Sequence, residues 1–215
     1  MTSAQAGRCV AESGAHTAAL VELYTSKNCG SCRPAEQWLS SLRAHAPGTV
    51  LPVVLHVNAR DYSGEPRPTR QRKLTPLQRM ALTYTPQVLL QGREFRGWGT
   101  PAFDAALAQI NRSSARVRIR LEIVSLRADG IEAEANALLS GRIEAAALYL
   151  AAYVKQSESH LVLEWQGPFA FGPEAPVRRV LPFPPGTAPA NSGVVGFVQD
   201  RQTAEVLQAL RLPAC

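Results

Sequence analysis

The sequence predicts an α/β domain followed by an all-β, sandwich-like domain. Three observations carry that expectation. The first half alternates apolar strands with helical spacing, in the order strand, helix, strand, helix, strand, hairpin strand, helix. From about Ser114 the apolar period drops to two. Several further short strands, separated by turns, then run to the C-terminal end. The boundaries drawn from this are an N-terminal arm at 1–16, an α/β domain at 17–113 and a β-sandwich-like domain at 114–215.

Each element has a local reason. Ala19-Leu20-Val21-Glu22-Leu23-Tyr24 is a short apolar strand that runs into Cys29. Pro34 opens a helix whose apolar residues Ala35, Trp38, Leu39 and Leu42 stand at helical spacing. Residues 50–57 form a second strand, apolar enough to be central. A long basic connection, 58–74, follows. Thr75-Pro76 reads as an N-cap and first helical proline, with Leu77, Met80, Ala81 and Tyr84 continuing that helix. Gln87 to Leu90 is a strand, Gln91-Gly92 a turn and Arg93 to Arg96 its partner. Thr100-Pro101 opens a helix carrying Phe103, Leu107 and Ile110. In the second half Val117, Ile119, Leu121 and Ile123 alternate with more polar neighbours, and Asp129-Gly130 turns the chain back. Further strands are expected at 146–154, 161–165, 177–181 and 194–198, whereas 206–212 fits strand or helix. The proline-rich stretch 182–189 reads as a loop.

Composition limits the function classes. A hydrophobic fraction of 46% against 19% charged residues supports packed cores rather than a disordered chain. No apolar run reaches the roughly 20 residues that span a bilayer. The first six residues show neither the basic start nor the apolar segment of an export signal. The net charge of +6 is concentrated at 60–79, where Arg60, Arg67, Arg70, Arg72, Lys73 and Arg79 face Asp61 and Glu65. A single aromatic residue, Tyr62, stands among these charges, so a solvated basic loop is expected and nucleic acid is not.

The four cysteines divide into two pairs. Cys9 and Cys215 stand near the two ends. They read as a structural disulfide joining arm to C-terminus, or as two unrelated free thiols. As a disulfide they would persist only in an oxidising compartment, which points to a periplasmic or secreted protein. Cys29-Gly30-Ser31-Cys32 is a CxxC pair between a strand and an amphipathic helix. A thiol at a helix N-terminus faces unpaired backbone N–H groups and the positive end of the helix dipole, both of which stabilise thiolate. Cys29 is therefore the expected nucleophile and Cys32, one turn further in, the resolving thiol. Lys27 and Arg33 flank the pair and either favour thiolate or simply point to solvent. His56, at the end of the second strand, is a proton relay, a metal ligand or an ordinary strand-end histidine. Trp38 and Trp98 are expected in the core.

The segment Tyr24 to Cys32 resembles the active-site strand and loop of glutaredoxins, within the thioredoxin superfamily. Thr85-Pro86-Gln87-Val88-Leu89-Leu90-Gln91-Gly92 resembles their cis-proline segment. The resemblance implies a thioredoxin-like fold for the α/β domain, a cis Pro86 and a Thr85 that pairs with the substrate backbone. A closer similarity is to the secreted bacterial family called domain of unknown function 1223, through residues 21–26, 29–36 and 55–57, Asp61-Tyr62 and 84–88. Lys27-Asn28, Arg33, Asn58 and Ala59-Arg60 depart from that family's pattern beside the CxxC pair.

These readings converge on dithiol–disulfide exchange with protein thiols or disulfides, or with a small thiol. The redox-active pair itself would serve, with no separate cofactor and no resident metal. Two other functions stay open. A metal-binding module would use both thiolates and His56, a set that suits Cu(I), although copper carriers of this kind usually space their cysteines by three. A non-enzymatic interaction protein would bind its partner through the second domain, which carries no catalytic motif.

Overall fold

The computed structural model describes residues 9–26, 29–57, 70–77, 82–156, 159–162, 164–183 and 186–215. The strands are β1 (Cys9–Glu12), β2 (Ala19–Thr25), β3 (Val50–His56), β4 (Gln87–Leu90), β5 (Arg93–Glu94), β6 (Val117–Arg127) and β7 (Gly130–Leu139). They continue as β8 (Ala146–Gln156), β9 (Ser159–Val162), β10 (Gln166–Phe169), β11 (Val177–Pro182), β12 (Ser192–Asp200) and β13 (Val206–Pro213). The helices are α1 (Arg33–Ser41), α2 (Arg70–Leu74) and α3 (Pro101–Arg112).

This architecture is mainly β and overturns the expected α/β thioredoxin-like domain. The described residues form two sheets. A four-stranded sheet has the order β1-β6-β7-β11. A nine-stranded sheet runs β13-β12-β8-β9-β3-β2-β4-β5, with β10 added on β8. The second sheet draws strands from both halves of the chain. Its join is the parallel pairing of β3 with β9, at Val54 opposite Leu161. An α/β domain needs helices packed on its sheet. Here α1 and α3 cover only one face of β2, β3 and β4, burying Ala35, Leu39, Phe103 and Leu107 against Val21, Leu23, Val54 and Val88. The opposite face is covered by strands. Leu20, Tyr24, Val53 and Leu89 pack against Ala151, Tyr153, Val195 and Phe197 of β8 and β12.

The nine-stranded sheet therefore curls over its own core. Its two ends meet where Val206 N–H donates to the Gln91 carbonyl at 3.0 Å and the Gln91 side-chain amide donates to the Val206 carbonyl at 2.9 Å. The expected Gln91-Gly92 turn makes this approach possible. Both residues have positive φ, 52° and 79°, and a Cβ on Gly92 would lie 2.1 Å from the Ala204 carbonyl oxygen. Gln208, fully buried on β13, accepts from Ala18 N–H at 2.8 Å and donates to the His16 carbonyl at 3.0 Å. The even residues of β8 face the other way. Leu148, Leu150 and Ala152 meet Ile119, Leu121 and Ala135 of the four-stranded sheet. With both faces covered, β8 and β12 are almost wholly apolar rather than alternating.

Several local expectations change. The arm contains β1, which pairs antiparallel with β6 from Cys9 opposite Ile123 to Glu12 opposite Arg120. The ambiguous 206–212 stretch is β13, paired along its length with β12. Thr75, Pro76 and Leu77 form a turn rather than a helix start. Thr75 ends α2, its hydroxyl donating to the Gln71 carbonyl at 2.9 Å. Helix α2 falls in the stretch read as connection, and residues 78–81 of the expected helix lie outside the described residues. Trp38 and Trp98 are half-buried and pack against the core from its rim, with Trp38 edge-on to Phe103 at 4.9 Å and 5.6 Å from Trp98. Among the described residues no helix is long and apolar enough to cross a membrane.

One packing contact sets a pH dependence. Arg211 Nη1 lies 3.0 Å from His160 Nδ1, and Tyr153 meets the same ring edge-on. Burial, then the charges of Arg211, Lys155 and Arg43, lower the His160 pKa to about 4. The folded state thus disfavours the proton that the unfolded chain takes up near its ordinary pKa of about 6.5. The share of stability that His160 contributes is fully present above pH of about 6.5 and is lost as pH falls towards about 4. Allowing for partial exposure, the loss is about 1–2 kcal/mol. Urea unfolding at neutral and acidic pH checks this. His160→Gln is expected to remove that share of the dependence, and an unchanged pH slope would exclude it.

Candidate functional site

The CxxC pair sits where β2 leaves the sheet and α1 begins. Cys29 N–H donates to the Ser26 carbonyl at 3.1 Å, and Cys32 N–H to the Cys29 carbonyl at 3.2 Å, closing a tight turn. Cys32 is the N-cap of α1, and Pro34 stands in the first helical turn. Proline there loses no helical bond, because the N–H groups of the first turn have no partner inside the helix. Ala35 and Leu39 then anchor the helix to the sheet. The local sequence thus fixes the pair to a helix N-terminus, and the apolar side of α1 fixes that terminus to the strand edge.

Cys29 and Cys32 are joined by a disulfide, with Cα atoms 5.4 Å apart. They differ in access. Cys29 is half-buried, whereas Cys32 is 1% exposed. Ser31 Oγ lies 3.6 Å from Cys29 Sγ. Just inside the pair, Thr25 Oγ1 donates to Glu36 Oε1 at 2.7 Å, and Glu36 N–H donates to the Cys32 carbonyl at 3.0 Å. Thr25 and Glu36 tie the strand end to the first turn of the helix. Neither was singled out from sequence. The signal for Glu36 was available, since an acid one turn into a helix is favoured there.

The sheet brings other candidate residues to the same edge. His56 ends β3 opposite Thr25 in parallel register. Gln87 of β4 pairs with Tyr24, so Pro86 and Thr85 continue past the same edge. The Thr85–Pro86 peptide is cis and both residues are half-buried. Arg33 is exposed. Lys27 lies outside the described residues, as do Asn58, Asp61 and Tyr62. Among the described residues no three His, Cys, Asp or Glu side chains gather as a metal site would require.

Cys9 and Cys215 form the second disulfide, with Cα atoms 5.8 Å apart and 206 positions between them in sequence. It joins the start of β1 to the residue that follows β13 by two positions.

Sequence reasoning missed a buried polar cluster beneath the same edge. Arg70, expected in a solvated loop, is buried. Its Nε donates to Glu22 Oε1 at 2.8 Å and its Nη1 to Gln199 Oε1 at 2.7 Å. Its guanidinium lies 4.4 Å from the Phe197 ring centroid. Tyr24 Oη donates to Glu22 Oε1 at 3.1 Å. Burial first, then the Glu22 charge, raises the Tyr24 pKa well above its ordinary value, so the phenol stays a neutral donor. The available signal was Glu22 itself, a charge at an inward position of an apolar strand. Its partner could not be read, because Arg70 and Gln199 are 48 and 129 positions from their partners in sequence.

No curated protein matches the chain. Among solved structures, HBP35 of Porphyromonas gingivalis superposes with a TM-score of 0.68 at 13% identity, covering 93% of this chain and 76% of that one. That likeness concerns the fold alone. A domain of the outer membrane lipoprotein Omp28 from Porphyromonas gingivalis gives a TM-score of 0.38 at 15% identity, over 46% of this chain and 88% of that one. The description of the family "Protein of unknown function (DUF1223)" matches residues 20–163, which include the CxxC pair, the cis Pro86 and β9, and the chain belongs to that family.

Proposed function

We propose that the protein carries out dithiol–disulfide exchange at Cys29 and Cys32 in an oxidising compartment. The observation that carries this reading is the unequal access of two bonded cysteines at a helix N-terminus, one half-buried and one 1% exposed. In the reduced protein Cys29 thiolate attacks one sulfur of a substrate disulfide. A mixed disulfide forms and one substrate thiolate leaves. Cys32 then gives up its proton and attacks Cys29 Sγ, restoring the Cys29–Cys32 bond and releasing the second substrate thiolate. Two electrons pass from protein to substrate. The reverse sequence oxidises a substrate dithiol. Thr85 and Pro86 border the same sheet edge and are the candidate substrate contacts. Support for the compartment comes from Cys9–Cys215, a bond that reducing cytosol would open.

Reduction potential tests the proposal, because exchange pairs and structural disulfides occupy different ranges. Equilibration with dithiothreitol and glutathione buffers, with trapping of free thiols, is expected to place Cys29–Cys32 above about −300 mV. Cys9–Cys215 is expected below that value. A CxxC pair as hard to reduce as the clasp would sink the exchange reading. Within the active range, a low value assigns the protein to reduction of substrates and a high one to their oxidation.

A further inference from the structure

The Glu22–Arg70 cluster borders a cavity that thiol exchange does not use. Its volume is about 610 Å³ and its wall includes Tyr24, Leu55, Tyr149, Trp165, Arg70 and Arg201. That size lies within the range of small-molecule pockets, roughly 300–1,000 Å³. The lining is apolar and aromatic with a few charged groups, as such pockets generally are.

Among the described residues, two lining side chains hold buried donors with no hydrogen-bond partner. The Arg70 side chain is 6% exposed, and its Nε and Nη1 are spent on Glu22 and Gln199. Its Nη2 is buried and, among the described residues, has no hydrogen-bond partner, and the same holds for Trp165 Nε1. Leaving a buried donor unmet costs about 1–3 kcal/mol, more for a charged group, so two such donors on side chains that line one cavity call for an acceptor. The lining charges agree. Arg70, Lys73 and Arg201 stand against Glu164. Glu22 Oε2 also has no hydrogen-bond partner among the described residues, but Glu22 is not among the residues of the cavity wall.

We propose that this cavity binds a small organic anion with an apolar body, its carboxylate accepting from Arg70 Nη2 and Trp165 Nε1. The body lies against Leu55, Tyr149 and the neighbouring apolar wall. This does not rest on the exchange reading, and a Cys29→Ser/Cys32→Ser protein is expected to bind equally well.

Calorimetric titration of the full chain with decanoate, and in parallel with decanol, tests the assignment. Decanoate is expected to bind saturably and about tenfold or more tighter than decanol, the scale of one hydrogen bond to a charged donor. Removing only Arg70 would strand the Glu22 charge, so the pair is replaced together as Glu22→Leu/Arg70→Met. A buried ion pair exchanged for apolar residues of similar volume generally keeps its fold. That protein is expected to lose the preference for decanoate while still binding decanol. Trp165→Phe keeps the aromatic wall, removes Nε1, and is expected to weaken decanoate about threefold to tenfold. The proposal is overturned if decanoate does not saturate, if decanol binds as tightly, or if both variants bind decanoate as the parent does.

Discussion

Cys29→Ser is expected to lower the rate of disulfide exchange by about a thousandfold or more, because a hydroxyl cannot form the mixed disulfide. Insulin reduction, or oxidation of a reduced test peptide, measures this directly. Cys32→Ser is expected to behave differently. It retains the half-buried nucleophile and loses the group that resolves the intermediate, so mixed disulfides accumulate. Non-reducing electrophoresis after acid quench should show adducts with Cys32→Ser and none with Cys29→Ser. The asymmetry follows from access, since Cys32 is 1% exposed at the N-cap and cannot meet an outside disulfide. If Cys29→Ser remains active, or if the two variants trap adducts equally, the assigned roles are wrong. Thermal unfolding of both proteins controls for damage, because α1 is anchored by Ala35 and Leu39 rather than by the disulfide.

Opening Cys9–Cys215 is expected to cost about 3–5 kcal/mol. The bond closes nearly the whole chain, and in the chain-entropy model a loop of that length restrains the unfolded state by roughly 5 kcal/mol. Native-state strain and residual structure in the unfolded chain usually reduce the figure. The local setting makes the native contribution specific. Cys9 begins β1, an edge strand of only four residues paired with β6, and Cys215 follows β13 by two positions. A Cys9→Ser/Cys215→Ser protein is expected to melt about 8–15 °C lower, at the few degrees per kcal/mol usual for this size. Hydrogen exchange should rise first in β1. A melting point unchanged by the double replacement would mean the clasp contributes nothing to stability. The same protein should keep its exchange activity, since the clasp and the CxxC pair involve different elements.

Much of the local structure was readable because it depends on near neighbours. Pro34 and Pro101 mark two helix starts, and the helical spacing of Ala35, Leu39, Phe103 and Leu107 marks the sides that pack. The apolar runs mark β2, β3 and β8, and Asp129-Gly130 marks the β6–β7 hairpin. Expectations failed where a residue's surroundings come from distant sequence. The α/β expectation assumed that helices cover the sheet. Covering an apolar face removes the same area from water whether a helix or a strand supplies the cover, so nothing in β2 or β3 announces which. Ala151, Val195 and Phe197 do the covering, more than a hundred positions after β2. Arg70 failed in the same way, since a charge run reads as solvated unless its partners are known.

For the candidate site the division is similar. The sequence by itself determined a CxxC pair between strand and helix, a second pair near the two ends, and a Thr-Pro segment before a strand. These depend on spacing of a few residues and on the chemistry of thiols at helix ends. Only the tertiary structure decided that Cys32 is buried and Cys29 less so, that Cys9 meets Cys215, and that Thr85, Pro86 and His56 share an edge with the CxxC pair. It alone also set Arg70 between Glu22 and Gln199 beside a cavity. The physical reason is one of range. Hydrogen bonding and helix geometry act over a few residues and leave a pattern in the chain, whereas burial and ion pairing depend on which distant surfaces the folded sheet brings together.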